Sequence, residues 1–118
     1  MKLIKSFVCA WSGIQSCFKS EPNFRIHLMA AILAVIFSLL FSISATEWVV
    51  ICFCIAFVLT MEMMNTAIEK LCDVVHKELH PVIKKIKDIT AGAVLLSAVF
   101  SLITAAIIFL PKIIMYFK

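Results

Sequence analysis

One segment of the chain carries carboxylate and amide side chains at a spacing that would align them along a helix. The four residues lie at intervals of three, seven and eleven positions from the first: Glu62, Asn65, Glu69 and Asp73. At about 100° per residue they fall within a stripe roughly 80° wide. Carboxylates on one stripe repel one another unless positive charge neutralises them. A hard divalent cation would do so, because Mg²⁺ takes one or two protein carboxylates and completes its shell with waters and phosphate oxygens. The stripe therefore predicts a metal-assisted phosphoryl-transfer site.

The composition indicates that the surrounding solvent is a bilayer. Hydrophobic residues make up 64% of the 118 residues and charged residues 15%, with a mean hydropathy of +1.10. A soluble domain is nearer half apolar and a quarter charged, and a soluble globule this small could not bury so much apolar surface. The net charge of +4 is modest and interleaved with apolar runs, so nucleic acid is not expected as a partner.

Glycine is scarce, which limits how the chain could hold a phosphate. Gly13 and Gly92 are the two glycines and lie far apart, so they cannot build a glycine-rich phosphate loop. Side chains and metal ions would have to hold the phosphates of any bound nucleotide.

The elements that must position the stripe are helical. We predict a single all-α integral membrane domain over residues 1–118, beginning with an amphipathic surface helix over residues 1–20 that has apolar side chains on one face and lysines on the other. The predicted membrane spans are residues 26–43, 48–64 and 89–110, the third ending at Pro111. The 18 residues of the first span would measure about 27 Å, enough to cross the hydrocarbon core. The second helix is expected to continue into water to about residue 73.

The distribution of basic residues predicts the orientation. The amino-terminal segment and the middle of the chain carry nine lysines and arginines, the turn after the first span carries none and the tail carries two. The positive-inside rule therefore places the amino terminus and residues 74–87 in the cytoplasm and the carboxyl terminus outside. This topology brings several polar residues to one cytoplasmic interface: Glu21, Glu62, Asn65, Lys87 and Asp88.

A solvated helix face paired with lysines is the alternative interpretation of the acidic stripe. Lys70 beside Glu69, or Lys77 four residues after Asp73, would supply such pairs. Glu62 argues against this alternative, because it stands among methionines at membrane depth, where ionisable groups are costly and usually functional.

Three segments together resemble the small prokaryotic diacylglycerol kinase family. Residues 62–73 (EMMNTAIEKLCD) resemble its signature, Lys87-Asp88 with the following AGAV resembles a second motif, and residues 20–27 (SEPNFRIH) resemble a third. The motifs run in the family's order and spacing over essentially the whole chain. The NTAIE string, the His80-Pro81 pair and the FLPK string at residues 109–112 look more like the undecaprenol kinase branch.

The resemblance implies an ATP-dependent lipid kinase of the bacterial inner membrane, a homotrimer with its sites between subunits. It implies that Glu62 is the catalytic base and contacts the lipid, that Glu21 and Glu69 bind the metal and the nucleotide, and that Asn65 lies near the phosphates. The further nucleotide-binding positions that it implies are Lys87, Asp88, Glu78, His80, Lys2 and Cys9, with Lys2 also at the lipid. The implied metal is Mg²⁺, with Zn²⁺ or Mn²⁺ as alternatives.

The acceptor favoured by the branch resemblance is undecaprenol, which would give undecaprenyl phosphate. Diacylglycerol, giving phosphatidic acid, is the alternative acceptor. Two non-enzymatic classes also fit a small multi-span chain, a holin-like pore former and a membrane adaptor subunit. A pore former has no use for carboxylates and an asparagine aligned at one interface, and an adaptor subunit would depend on partners for its stability.

Overall fold

The computed structural model describes residues 1–76 and 80–118, and these residues form four helices. They are α1 (Lys2–Ser20), α2 (Pro22–Leu40), α3 (Ala45–Val75) and α4 (Pro81–Phe117). Three of them, α2, α3 and α4, are long and apolar enough to cross a membrane. The predicted all-α membrane architecture, a surface helix followed by three spans, is confirmed.

Local sequence signals fix where the helices begin. Glu21 is extended and separates α1 from α2, and Pro22 follows it at the first position of α2, where the fixed φ of proline suits a helix start. A capping box opens α3: the Ser44 hydroxyl accepts from the Glu47 amide at 3.2 Å, and the Ser44 amide donates to Glu47 Oε1 at 3.0 Å. These caps satisfy amide groups that have no partner inside the helix.

The last helix is longer than the span expected within it. α4 starts at Pro81 and continues through Pro111 to Phe117, whereas the sequence predicts an end at Pro111. Proline removes one helical hydrogen bond, but apolar contacts persist beyond it. Ile113 packs against the buried core, and the ring of Tyr116 lies 6.4 Å from that of Phe41. These contacts hold the final turns in a helical conformation.

The apolar core lies at one end of the bundle, where α3 begins and α4 ends. Its buried members are Ile43, Ile51, Ile108 and Phe109. Lys112 Nζ closes this end by pairing with Glu47 Oε2 at 2.9 Å. The amphipathic helix α1 rests on α2 and α3 with its apolar residues largely exposed. Such a face is suited to lie in the interfacial region of a bilayer.

Candidate active site

Buried polar residues gather on α3 toward its carboxyl-terminal end, away from the apolar core. Ile51 and Val58 are buried on this helix, and the next buried positions are Glu62, Asn65 and Thr66, which are 2%, 9% and 3% exposed. The buried face of α3 thus changes from apolar to polar between Val58 and Glu62. In a membrane helix, such a change is expected near the boundary between the hydrocarbon core and the polar headgroups. Buried polar groups of this kind are normally hydrogen-bonded or functional.

Glu62 meets a histidine from the neighbouring helix. Its Oε2 atom lies 3.7 Å from Nε2 of His27, which sits in the second turn of α2 and is itself mostly buried. Glu21 and Glu69 lie close enough to act electrostatically on the Glu62 carboxylate. Three of the predicted site carboxylates are thus grouped around the junction of α1, α2 and α3.

Asn65 and Glu69 form the next level of the site along α3. Asn65 Nδ2 donates to Glu69 Oε1 at 3.3 Å, which orients the carboxylate. The other end of the amide, Asn65 Oδ1, is buried and has no hydrogen-bond partner among the described residues. Mg²⁺ and other hard divalent cations bind oxygen ligands of this kind, an amide oxygen next to a carboxylate.

The described residues fit a magnesium site of the open type. Over residues 1–76 and 80–118 no group of three His, Cys, Asp or Glu side chains is close enough to hold a metal by itself. Mg²⁺ does not need such a cage, because one or two carboxylates with waters and substrate phosphates complete its shell. In such a site Glu21 and Glu69 would supply the carboxylates, and Asn65 would supply a neutral oxygen.

Helix α4 contributes a positively charged side chain, Lys87, next to the acidic stripe. Lys87 Nζ lies 2.7 Å from Asp73 Oδ1, so the first turns of α4 are tied to the last turns of α3. Lys87 also lies within electrostatic range of Glu69. The acidic stripe is therefore partly neutralised at its carboxyl-terminal end, and a cationic side chain stands near the proposed metal ligands.

Other predicted site residues are exposed or have hydrogen-bond partners outside this cluster. Asp88 is exposed and accepts from Lys84 Nζ at 2.7 Å on its own helix. His80 caps α4, since its Nδ1 atom accepts from the Val82 amide at 3.1 Å. Lys2 and Cys9 are exposed on α1, with no side-chain contact to the stripe within the described part of the chain. Glu78 lies outside the described residues.

Two residues of the cluster are absent from the sequence-based site. His27 ends the motif at residues 20–27 but is given no role by the sequence analysis; the available signal is its position at the start of a span, at the same interface as Glu62. Thr66 lies four residues after Glu62 and therefore on the same face of the helix. Its hydroxyl is buried without a partner among the described residues.

α1 also reaches the cluster, through Cys17. Cys17 is the single buried residue of α1, and the Glu21, Lys70 and Glu62 charges all act on it. Burial, with a smaller contribution from Glu21, raises the pKa of the Cys17 thiol. The surface helix is thus anchored beside the carboxylates by its last turn, while its first half is exposed.

Sequence comparisons relate this chain to known proteins. A sequence model described as prokaryotic diacylglycerol kinase matches residues 8–109. The chain is 40% identical to undecaprenol kinase of Bacillus subtilis (strain 168) over 112 residues, 95% of this chain and 91% of that protein. It is 33% identical to a diacylglycerol kinase of Synechocystis sp. over 112 residues, 94% of this chain and 64% of that protein. It is 28% identical to diacylglycerol kinase of Escherichia coli (strain K12) over 107 residues, 91% of this chain and 88% of that protein.

Proposed function

This chain belongs to the prokaryotic diacylglycerol kinase family and is a membrane lipid kinase, and on that premise we propose that it phosphorylates undecaprenol with ATP. The preference for undecaprenol over diacylglycerol is supported by the 40% identity with the Bacillus subtilis undecaprenol kinase, against 33% and 28% for the diacylglycerol kinases of Synechocystis and Escherichia coli. Diacylglycerol is the second candidate acceptor, because those two relatives carry its name.

The observation that carries the proposed chemistry is the burial of Glu62 where the lining of α3 turns from apolar to polar. A lipid alcohol in a bilayer presents its hydroxyl at this level and its chain to the apolar side. The Glu62 carboxylate accepts the hydroxyl proton as the lipid oxygen attacks the γ-phosphorus of ATP, and the bond from that phosphorus to the β–γ bridging oxygen breaks. His27 is proposed to orient this carboxylate, since its Nε2 atom lies 3.7 Å from Glu62 Oε2.

Glu21 and Glu69 are proposed to hold the divalent cation, most simply Mg²⁺, with Zn²⁺ or Mn²⁺ as alternatives. When bound, the ion supplies positive charge to the β- and γ-phosphate oxygens. Asn65 orients Glu69 through its amide nitrogen and offers Oδ1 to the same site. Lys87 adds a fixed cation on the nucleotide side, tied to Asp73.

A homotrimer with sites between subunits is proposed from the family resemblance. The predicted nucleotide residues Lys2, Cys9 and Asp88 are exposed, and Asp88 pairs with Lys84 on its own helix. A neighbouring copy is one way to bring them to a site. Native mass spectrometry from detergent should give three times the 13.2 kDa chain mass, and a purely monomeric, active enzyme would contradict the proposal.

The activity is tested by transfer of the labelled γ-phosphate of ATP to lipid alcohols in mixed micelles. Purified protein should phosphorylate undecaprenol with a higher kcat/KM than diacylglycerol, and should need both a divalent cation and the lipid. A higher kcat/KM with diacylglycerol would overturn the proposed acceptor and leave the lipid kinase intact. A chain that transfers no phosphate to any lipid alcohol would remove the proposed activity altogether.

A further inference from the structure

Thr66 differs from Ser38 and Ser97, the other buried hydroxyl residues among the described residues. Thr66 is only 3% exposed, and its Oγ1 atom has no hydrogen-bond partner among the described residues. By contrast, Ser38 donates to the Ala34 carbonyl at 2.7 Å, and Ser97 donates to the Val94 carbonyl at 2.7 Å. Thr60, on the same helix as Thr66, donates to the Ala56 carbonyl at 2.7 Å.

A helical threonine can ordinarily satisfy its hydroxyl on its own backbone. Rotation about χ1 brings Oγ1 to the carbonyl three or four residues earlier, which is why threonine occupies two rotamers in helices. Thr66 does not make this bond, although the Glu62 and Met63 carbonyls stand at those positions. A buried hydroxyl without a hydrogen bond lowers the stability of the folded protein. Such a group therefore suggests a partner outside the described residues, such as a bound substrate.

The position of Thr66 indicates what that partner is. At 1.5 Å per residue, Thr66 lies about 6 Å along the helix from Glu62 and about 4.5 Å from Glu69. Glu62 is the proposed acceptor of the lipid proton and Glu69 a proposed metal ligand, so Thr66 occupies the level that the phosphoryl group crosses during transfer. The buried Asn65 Oδ1, also without a partner among the described residues, marks the same level.

We propose that the Thr66 hydroxyl donates a hydrogen bond to a non-bridging oxygen of the γ-phosphoryl group as it passes from ATP to the lipid. This assignment rests on the proposed lipid kinase function and adds a substrate-binding residue to it. A hydrogen bond to an anionic oxygen is stronger than one between neutral groups. If this hydrogen bond is strongest in the transition state of phosphoryl transfer, its loss lowers kcat rather than the affinity for ATP.

The test compares an isosteric variant without a hydroxyl, a variant that keeps it and a matched control. Thr66→Val preserves the shape, Thr66→Ser preserves the hydroxyl, and Thr60→Val removes a hydroxyl that is already bonded within the same helix. We expect Thr66→Val to lower kcat about 10- to 100-fold, as for loss of a hydrogen bond to a charged group, with a smaller change in KM for ATP. Thr66→Ser should retain most of the turnover, and Thr60→Val should match wild type within about twofold.

Thermal unfolding separates this role from a structural one. Removing a buried hydroxyl without a partner should leave the unfolding midpoint of Thr66→Val equal to or above that of wild type, while turnover falls. A lower midpoint together with lost turnover, not rescued by serine, would assign Thr66 to packing and overturn the proposal. If Thr66→Val changed the oligomeric mass but kept normal turnover, the hydroxyl would belong to a contact between copies of the chain. That result would also overturn the proposal.

The two proposals fail in different ways. An active wild-type kinase with an equally active Thr66→Val variant overturns the role of Thr66 and leaves the proposed function standing. A wild-type protein that phosphorylates no lipid alcohol overturns the proposed function, and the role of Thr66 falls with it.

Discussion

Glu62 Oε2 and His27 Nε2 lie 3.7 Å apart across the contact between α3 and α2. The Glu62 side chain is almost completely buried, and among the described residues the group paired with it is the His27 imidazole. A buried carboxylate is costly unless a partner compensates it. We therefore expect the contact with the His27 imidazole to help orient the Glu62 carboxylate.

His27 should therefore support turnover through Glu62. We expect His27→Leu to lower kcat about tenfold or more, the equivalent of at least ~1.4 kcal/mol of transition-state stabilisation. His27→Gln keeps a polar donor and should lose less. The measurement is lipid phosphorylation at saturating ATP, with KM for ATP as the internal check. Equal turnover in His27→Leu and wild type would show that Glu62 does not depend on this contact.

Loss of a carboxylate that binds the metal should raise the Mg²⁺ concentration that the enzyme needs. Glu69→Gln and Glu21→Gln each remove one negative charge from the hard oxygen set, so the Mg²⁺ concentration for half-maximal rate should rise about tenfold or more. Glu47→Gln makes the same chemical change at the opposite end of α3, beside Lys112, and should leave the Mg²⁺ dependence unaltered. A wild-type Mg²⁺ profile in Glu69→Gln would rule out its role as a ligand.

The acidic stripe could be predicted from sequence because helical periodicity alone defines it. Residues 62–73 form part of one continuous helix in the structure, so the 100° spacing holds from Glu62 to Asp73. The contact of Lys87 with Asp73 adds the neutralising cation that the repulsion argument requires. These features depend on one helix and on the short connection that follows it.

The features of the site that could not be predicted from the sequence depend on how the helices pack and on side-chain rotamers. The meeting of His27 with Glu62 requires the register of α2 on α3, which no local pattern encodes. The hydroxyl of Thr66 lies on the predicted face, but whether it bonds to its own helix is a choice of χ1. Pro111 was expected to end the last span, whereas the apolar contacts of Ile113 and Tyr116 keep the helix going.

Cys17 offers a pH-dependent test of how α1 rests on the site. Burial raises the pKa of its thiol above the ordinary value of 9.0, so the reactive thiolate is scarcer at a given pH than in an exposed cysteine. Alkylation of Cys17 should be slow at neutral pH and accelerate only as the pH rises past 9, whereas the exposed Cys9 should be modified first. Mass spectrometry of peptides after timed alkylation measures both. Faster modification of Cys17 than of Cys9 at neutral pH would mean that α1 does not dock as described.

The predicted orientation can be checked by labelling single cysteines from either side of the membrane. In a cysteine-free background, Thr46→Cys tests the first turn of α3 and Lys85→Cys the first turns of α4, both at exposed positions. A membrane-impermeant maleimide added to intact spheroplasts should label the first variant and not the second, since basic residues concentrate on the cytoplasmic side. Labelling of Lys85→Cys from outside would reverse the topology and place the site on the wrong face for ATP.

The most direct test of the central claim is the turnover of Glu62→Gln in phosphate transfer from ATP to undecaprenol, measured beside Glu47→Gln on the same helix. Glutamine preserves the size of the side chain but cannot accept the hydroxyl proton. We expect kcat to fall by about two to four orders of magnitude while KM for ATP changes little, the pattern of an interaction lost in the transition state. Glu47→Gln should stay near wild type. Near-normal turnover in Glu62→Gln would contradict the assignment of Glu62 as the catalytic base.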